Sequence, residues 1–255
     1  MPAGADELPA GNPRIKISYE PPQSREFQPL YALLKERRAL ERLRIFLSPF
    51  DLPAEITIAV SDCRDDTGAW YDPDLKSLTA CYYFLDQVVK RAPKRTTPAG
   101  ISHDDVVAGS ITQILLHEFG HAIVNLYDLP IFGHEEDVAD QLAAYMIMKL
   151  DKPEAKRLIS GSAFMLAGYA MQEKVGAEAL AGDHPLAAQR FYSVVCLAYG
   201  KDPANFRLVD KLKILPKERA ELCPVEYQQV DHAFRTLVAP HLKPDAQFTF
   251  GPPSG

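Results

Sequence analysis

Apolar and polar positions along the chain change rhythm once, close to residue 100. Before that point the patterns are short. Arg14 to Tyr19 alternates as a strand does, Pro21-Pro22 stops it, and Glu55 to Val60 is apolar and β-branched. Ala69 to Tyr71 and Ser77 to Phe84 read as extended, with turn chemistry at Asp65-Asp66-Thr67-Gly68 and Asp72-Pro73-Asp74. Leu30 to Phe46 differs, carrying apolar residues at helical spacing until Pro49 and Pro53 break the chain. These segments predict a small antiparallel or mixed N-terminal sheet.

From Ser102 onward the period is helical. Ser102 followed by Asp105 fits a capping box, and Ile111, Ile114, Leu115, Phe119, Ala122 and Leu126 keep one side apolar until Asp128-Leu129-Pro130. A second helix starts at Glu135-Glu136-Asp137, where negative charge suits a helix N-terminus, and runs to Leu150. Further helices are expected around Glu154 to Lys174, Leu186 to Tyr199 and Val225 to Leu242. The expected fold class is α+β, a small sheet packed on a mostly helical core. One domain should span residues 14–242, with a sheet-containing lobe at 14–100 and a helical lobe at 101–242. It would be preceded by a disordered leader at 1–13 and followed by a loose tail at 243–255.

Composition narrows the partners. A 255-residue chain with 47% hydrophobic and 24% charged residues is in the globular range. The net charge of −6 with scattered Lys and Arg argues against nucleic acid. No stretch approaches the roughly 18 uninterrupted apolar residues of a membrane span. The cysteines Cys63, Cys81, Cys196 and Cys223 contain no C-x-x-C pair, which disfavours a cysteine-based zinc knuckle. Local pairing, Cys63 with Cys81 and Cys196 with Cys223, is the preferred disulfide arrangement; four buried free thiols are an equal alternative on composition alone.

Candidate chemistry lies in the first long helix. Leu116-His117-Glu118-Phe119-Gly120-His121-Ala122 contains H-E-x-x-H. Residues four apart share a helix face, so two imidazoles can converge on one cation with Glu118 alongside. The uncharged Phe119, Gly120 and Ala122 suit a buried helix, where two histidines and a glutamate would be costly without a shared ion. Catalytic zinc takes three protein ligands and keeps a position for water. The spacing of a third histidine soon after the motif is filled by Val124 and Tyr127, so the third ligand is sought in the next helix. Glu136 and Asp140, four apart, share a face there. Glu136 is the expected ligand, with Glu135, Asp137 and His134 as alternatives, and Asp140 is expected to accept a hydrogen bond from a ligand histidine. For Glu135 and Asp137 the helix dipole is sufficient reason.

Glu118 would then act as general base toward a metal-activated water, with His184, Arg190 and Tyr192 as candidate oxyanion donors, of which His184 is preferred. The extended Leu78 to Tyr83 segment is a candidate edge for binding peptide as an added strand, or an ordinary core strand. Trp70, Tyr71, Tyr82 and Tyr83 either line a pocket or pack.

His117-Glu118-Phe119-Gly120-His121, Asp128-Leu129-Pro130, Gly133, Glu135-Glu136-Asp137 and Ala139-Asp140-Gln141 together resemble the bacterial DUF4344 metallopeptidases. Cys63, Tyr71-Asp72-Pro73, Cys81-Tyr82, Asp183-His184, Gln189-Arg190-Phe191-Tyr192, Cys196, Tyr199-Gly200, Asp202-Pro203 and Arg219 to Cys223 extend the likeness from about Leu43 to Tyr227. The resemblance implies a zincin-like, specifically gluzincin-like, core and one Zn2+ held by His117, His121 and Glu136, with Asp140 in support. It also implies two disulfides and a periplasmic or secreted location. Tyr83 stands where the family favours an acidic residue. The function so implied is a zinc metallopeptidase acting on peptide or protein. The competing readings are a zinc-containing binding module without activity and a zinc hydrolase of a non-peptide amide such as one in the cell wall.

Overall fold

The structure is a computed structural model that describes residues 8–63, 68–244 and 246–251. The chain forms two compact units, Met1–Asp86 with His241–Gly255, and Gln87–Pro240. The turn expected at Asp65-Asp66-Thr67 and the first part of the expected leader lie outside the described residues.

The first unit is built on a four-stranded sheet. Its strands are β1 (Ile15–Tyr19), β2 (Ile56–Ser61), β3 (Ala69–Asp72) and β4 (Ser77–Cys81), in the order β1-β2-β4-β3. The sheet is mixed. β1 and β4 run parallel to β2, with Ile15 opposite Ile56 and Ile58 opposite Leu78, and only β3 is antiparallel to its neighbour. Parallel neighbours need a crossover, and helices α1 (Gln28–Glu36) and α2 (Ala39–Phe46) supply it between β1 and β2. Ile15, Ile56, Ile58 and Leu78 are buried with Leu40, Leu43 and Phe46. Asn12, in the stretch read as a leader, is buried and donates to the carbonyls of Leu47 and Phe50. Phe248 and Phe250, in the stretch read as a tail, pack on Phe46.

Two local expectations are corrected here. The extended stretch ends at Cys81, and Tyr82–Arg91 is helix α3. Its buried positions Tyr82, Leu85 and Val88 are spaced by three, a helical interval that short-range alternation conceals. β4 is also paired on both sides, by β2 and β3, so it offers no free edge for a peptide. Tyr82 is a packing residue, fully buried with its hydroxyl donating to the Glu20 carbonyl.

The second unit is helical. It holds α4 (His103–Leu126), α5 (Glu135–Ile147), α6 (Lys152–Ala170), α7 (Ala177–Ala181), α8 (Ala187–Lys201), α9 (Leu208–Lys211) and α10 (Lys217–Ala233). α4 packs on both α5 and α6, and α8 packs on α6 and α10. The Ser102–Asp105 capping box is formed in both directions. α4 is apolar nearly all round, with Leu115, Leu116, Phe119, Ala122 and Ile123 buried, so its polar residues have to be satisfied by neighbouring helices. α10 begins ahead of its expected start and runs through Pro224, tied at that turn to α8 by a disulfide. Both disulfides, Cys63–Cys81 and Cys196–Cys223, join the locally paired cysteines. By the loop-length relation a crosslink of this span stabilises by about 3 kcal/mol.

Candidate metal centre

Whether α4 and α5 can share a site depends on how closely they approach, and Gly120 sets that distance. A Cβ on Gly120 would lie 2.9 Å from the Ala139 Cα and 3.2 Å from its Cβ. Only glycine lets the H-E-x-x-H turn of α4 lie this close to the α5 backbone. Between the helices the chain turns through a left-handed Asp128 (φ 49°) and through Gly133 at φ 107°, a conformation that favours glycine. The first turn of α5 is thereby presented to His117 and His121.

Three side chains converge. His117 Nε2 lies 3.3 Å from His121 Nε2 and 3.0 Å from Glu136 Oε2, and His121 Nε2 lies 3.4 Å from Glu136 Oε1. The donor atoms of His117, His121 and Glu136 all fall within 4.8 Å of one another, a grouping able to hold a metal ion. The spacing can be tested against metal chemistry. Ligand atoms about 2.05 Å from a tetrahedral ion are separated by about 3.3 Å, which the observed 3.0 to 3.4 Å brackets. Glu136 Oε2 is buried and has no well-angled donor, despite its short ion-pair distances. Such an oxygen suits a cation between the imidazoles.

The surrounding carboxylates orient both rings. His117 Nδ1 is 2.8 Å from Asp140 Oδ1, and His121 Nδ1 is 2.8 Å from Glu135 Oε1. With Nδ1–H donating outward, each ring presents the Nε2 lone pair to the centre. Asp140 is in turn gripped by Arg190 of α8, with Nε 2.6 Å from Oδ2 and Nη2 2.7 Å from Oδ1. Burial works to raise the Asp140 pKa, but the His117 and Arg190 hydrogen bonds outweigh it and hold it at about 2. Burial likewise works to lower the His117 pKa, yet Asp140 and Glu136 carry it up to about 9. For Glu136, burial is outweighed by the imidazoles of His117, His121 and His184, which hold its carboxyl far below the usual range.

Glu118 stands apart. It is buried, and no hydrogen bond holds its carboxylate among the described residues. Burial pushes its pKa up, with His117 and His121 pulling the other way. A carboxyl raised by desolvation and left without a fixed partner is suited to taking and returning a proton.

The remaining candidates separate clearly. His184 comes to the site: its Nδ1 is 2.6 Å from Glu136 Oε2, and its ring is 6.1 Å from that of His117 and largely exposed. His134 and Asp137 are exposed and outside the converging group. Arg190, considered as an oxyanion donor, spends its fork on Asp140. Tyr192 is exposed beside Phe191. The contribution that sequence reasoning missed is Glu135 on His121. Its position beside Glu136 in the acidic first turn was the available signal, but that position is equally accounted for by the helix dipole.

Fold and site together define a helical unit with an H-E-x-x-H helix and a carboxylate on the following helix, a grouping that could hold a metal ion. The chain belongs to the DUF4344 family, described as "Putative metallopeptidase", whose model matches residues 19–238. Comparisons with curated proteins and with solved structures each returned no match.

Proposed function

We propose that the protein is a zinc-dependent metallopeptidase in which His117, His121 and Glu136 hold the ion and Glu118 moves the protons. The observation that carries this reading is the convergence of two carboxylate-oriented imidazoles and the Glu136 carboxylate, with an unengaged buried carboxyl on the same helix. A bound zinc ion supplies Lewis acidity, lowering the pKa of water to about 7 and polarising a carbonyl. Glu118 takes the proton of the attacking water on its carboxylate and returns it to the departing amine nitrogen. Asp140 and Glu135 hold the imidazole orientation throughout. His184, with its Nδ1 2.6 Å from Glu136 Oε2, is the candidate to donate to the oxyanion.

Every residue in this scheme belongs to the Gln87–Pro240 unit. Nitrogen and carboxylate donors in this number fit zinc. The two disulfides support a periplasmic or secreted site of action, where thiols are oxidised. No helix among the described residues is long and apolar enough to cross a membrane.

The test is cleavage of an unbiased peptide mixture with and without chelator. Activity should disappear with chelator and return with Zn2+. Glu118→Gln should retain near-stoichiometric metal while turnover falls at least ~100-fold. Undiminished cleavage by the Gln variant would remove Glu118 from the reaction. Metal uptake with no cleavage of any peptide would leave a metal-stabilised binding module.

A further inference from the structure

The helical unit contains a second concavity of different chemistry. It is a pocket of about 140 Å³, lined almost entirely by apolar atoms of α6, α8, the α9 region and the segment ahead of α4 that carries Ala99 and Ile101. Ile159, Ala163, Phe164, Phe191, Phe206 and Val209 supply much of the wall. None of His117, Glu118, His121, Glu136 or His184 lines it. Apolar cavities of ~150 Å³ take up benzene, so this one fits a phenyl ring or an alkyl group of about six carbons.

Lys156 is the one charged residue in the lining, and its charge is uncommitted. Its stem can lie along the apolar wall with the ammonium at the mouth. Acids of α6 and of the adjoining segments are engaged with other partners. Arg157 takes Glu154 and Asp105, Lys152 takes Asp202, and Tyr199 donates to Asp210. Among the described residues Lys156 has no hydrogen bond or ion pair. Ser160 adds a hydroxyl to the same lining.

From this we infer a ligand site, separate from the metal centre, for a small monocarboxylate whose apolar body is a phenyl ring or short alkyl chain. The body fills the cavity between α6, α8 and the α9 region, and the carboxylate pairs with the Lys156 ammonium and accepts from Ser160. The chemistry requires both halves. A purely apolar molecule leaves the cation unpaired, and a small polar anion forgoes the burial.

Calorimetric titration of the full chain decides this, using 3-phenylpropanoate and its neutral analogue 3-phenylpropan-1-ol. The acid should bind saturably and about tenfold or more tightly than the alcohol. Its affinity should be the same with and without chelator. Lys156→Met, which keeps the stem, should bring the acid down to the level of the alcohol. Ala163→Leu, which fills the cavity, should weaken both probes at least tenfold. Equal affinity for acid and alcohol, or unchanged acid binding in Lys156→Met, overturns the proposal. So does loss of acid binding on chelation, which assigns the carboxylate to the metal centre, or the absence of saturable binding at millimolar acid. Should Ala163→Leu fail to fold, the partly exposed Lys156 variant and the acid-to-alcohol comparison still decide.

Discussion

Gly120→Ala separates the packing requirement of the site from its ligand chemistry, because it adds one methyl and removes no donor. The new Cβ would stand 2.9 Å from the Ala139 Cα and 3.3 Å from its carbonyl oxygen. Carbon pairs rest at about 3.5 to 4.0 Å, so α5 has to retreat by about 0.6 to 1.1 Å. Ala139 lies between Glu136 and Asp140, and both carboxylates move with it. Metal sites tolerate errors of only about 0.2 Å in ligand distance, so the retreat should weaken zinc binding by about 10- to 100-fold. The stability change is a difference of two effects. Overpacking costs about 1–3 kcal/mol, while replacing a helical glycine by alanine returns up to about 1 kcal/mol, leaving a net loss of about 0–3 kcal/mol. Gly168→Ala is the control, since a Cβ there meets nothing within 4 Å; it should gain stability and leave metal affinity alone. Zinc competition against a chromophoric chelator and urea melts of the chelated proteins read both quantities. If Gly120→Ala binds zinc as wild type does and gains stability like Gly168→Ala, close approach of α5 is not what assembles the site.

Other expectations follow from individual contacts. Arg190→Met should destabilise by about 3 kcal/mol in urea melts at neutral pH, because it strips a buried carboxylate of its bidentate partner; a loss under about 1 kcal/mol would mean that His117 alone satisfies Asp140. Glu135→Ala should lower metal affinity about 10- to 100-fold through His121, and an unchanged affinity would return Glu135 to a helix-dipole role. Asp231 accepts from the Tyr145 hydroxyl at 2.6 Å and pairs with Arg235 at 2.8 Å. The Tyr145 hydrogen bond is the main cause holding its pKa below the usual carboxylate value. A depressed folded-state pKa stabilises above the unfolded value of about 4 and is lost as pH falls through the folded one. The stability gap between wild type and Asp231→Asn should therefore be full at pH 6 and shrink toward pH 3; a gap independent of pH would deny Asp231 that role.

The legible part of the protein is the part governed by short-range rules. Four-residue spacing put the His117 and His121 rings on one helix face, and the rings do meet there, their Nε2 atoms 3.3 Å apart. Ser102 and Asp105 capped α4 as their three-residue spacing required. The cysteines nearest in sequence paired, as the smaller loop-closure cost favours. The strand pattern showed that a sheet exists, but not that β4 lies inside it, since strand order is a long-range choice absent from alternation. Tyr82 to Phe84 went from expected strand to helix for a related reason: a few apolar residues satisfy both periods until neighbours choose the face.

What the sequence determined by itself was therefore the pair of imidazoles on one face of α4 and the cap of that helix, because both depend on residues within one or two turns of each other. Tertiary structure alone decided that Glu135 turns to His121, that Arg190 clamps Asp140 from fifty residues away, and that Lys156 is left without an anion beside an apolar pocket. Each of those outcomes depends on which helices touch. That is set by packing of the core, where α4 and α5 approach so closely that a Cβ at Gly120 would lie 2.9 Å from the Ala139 Cα.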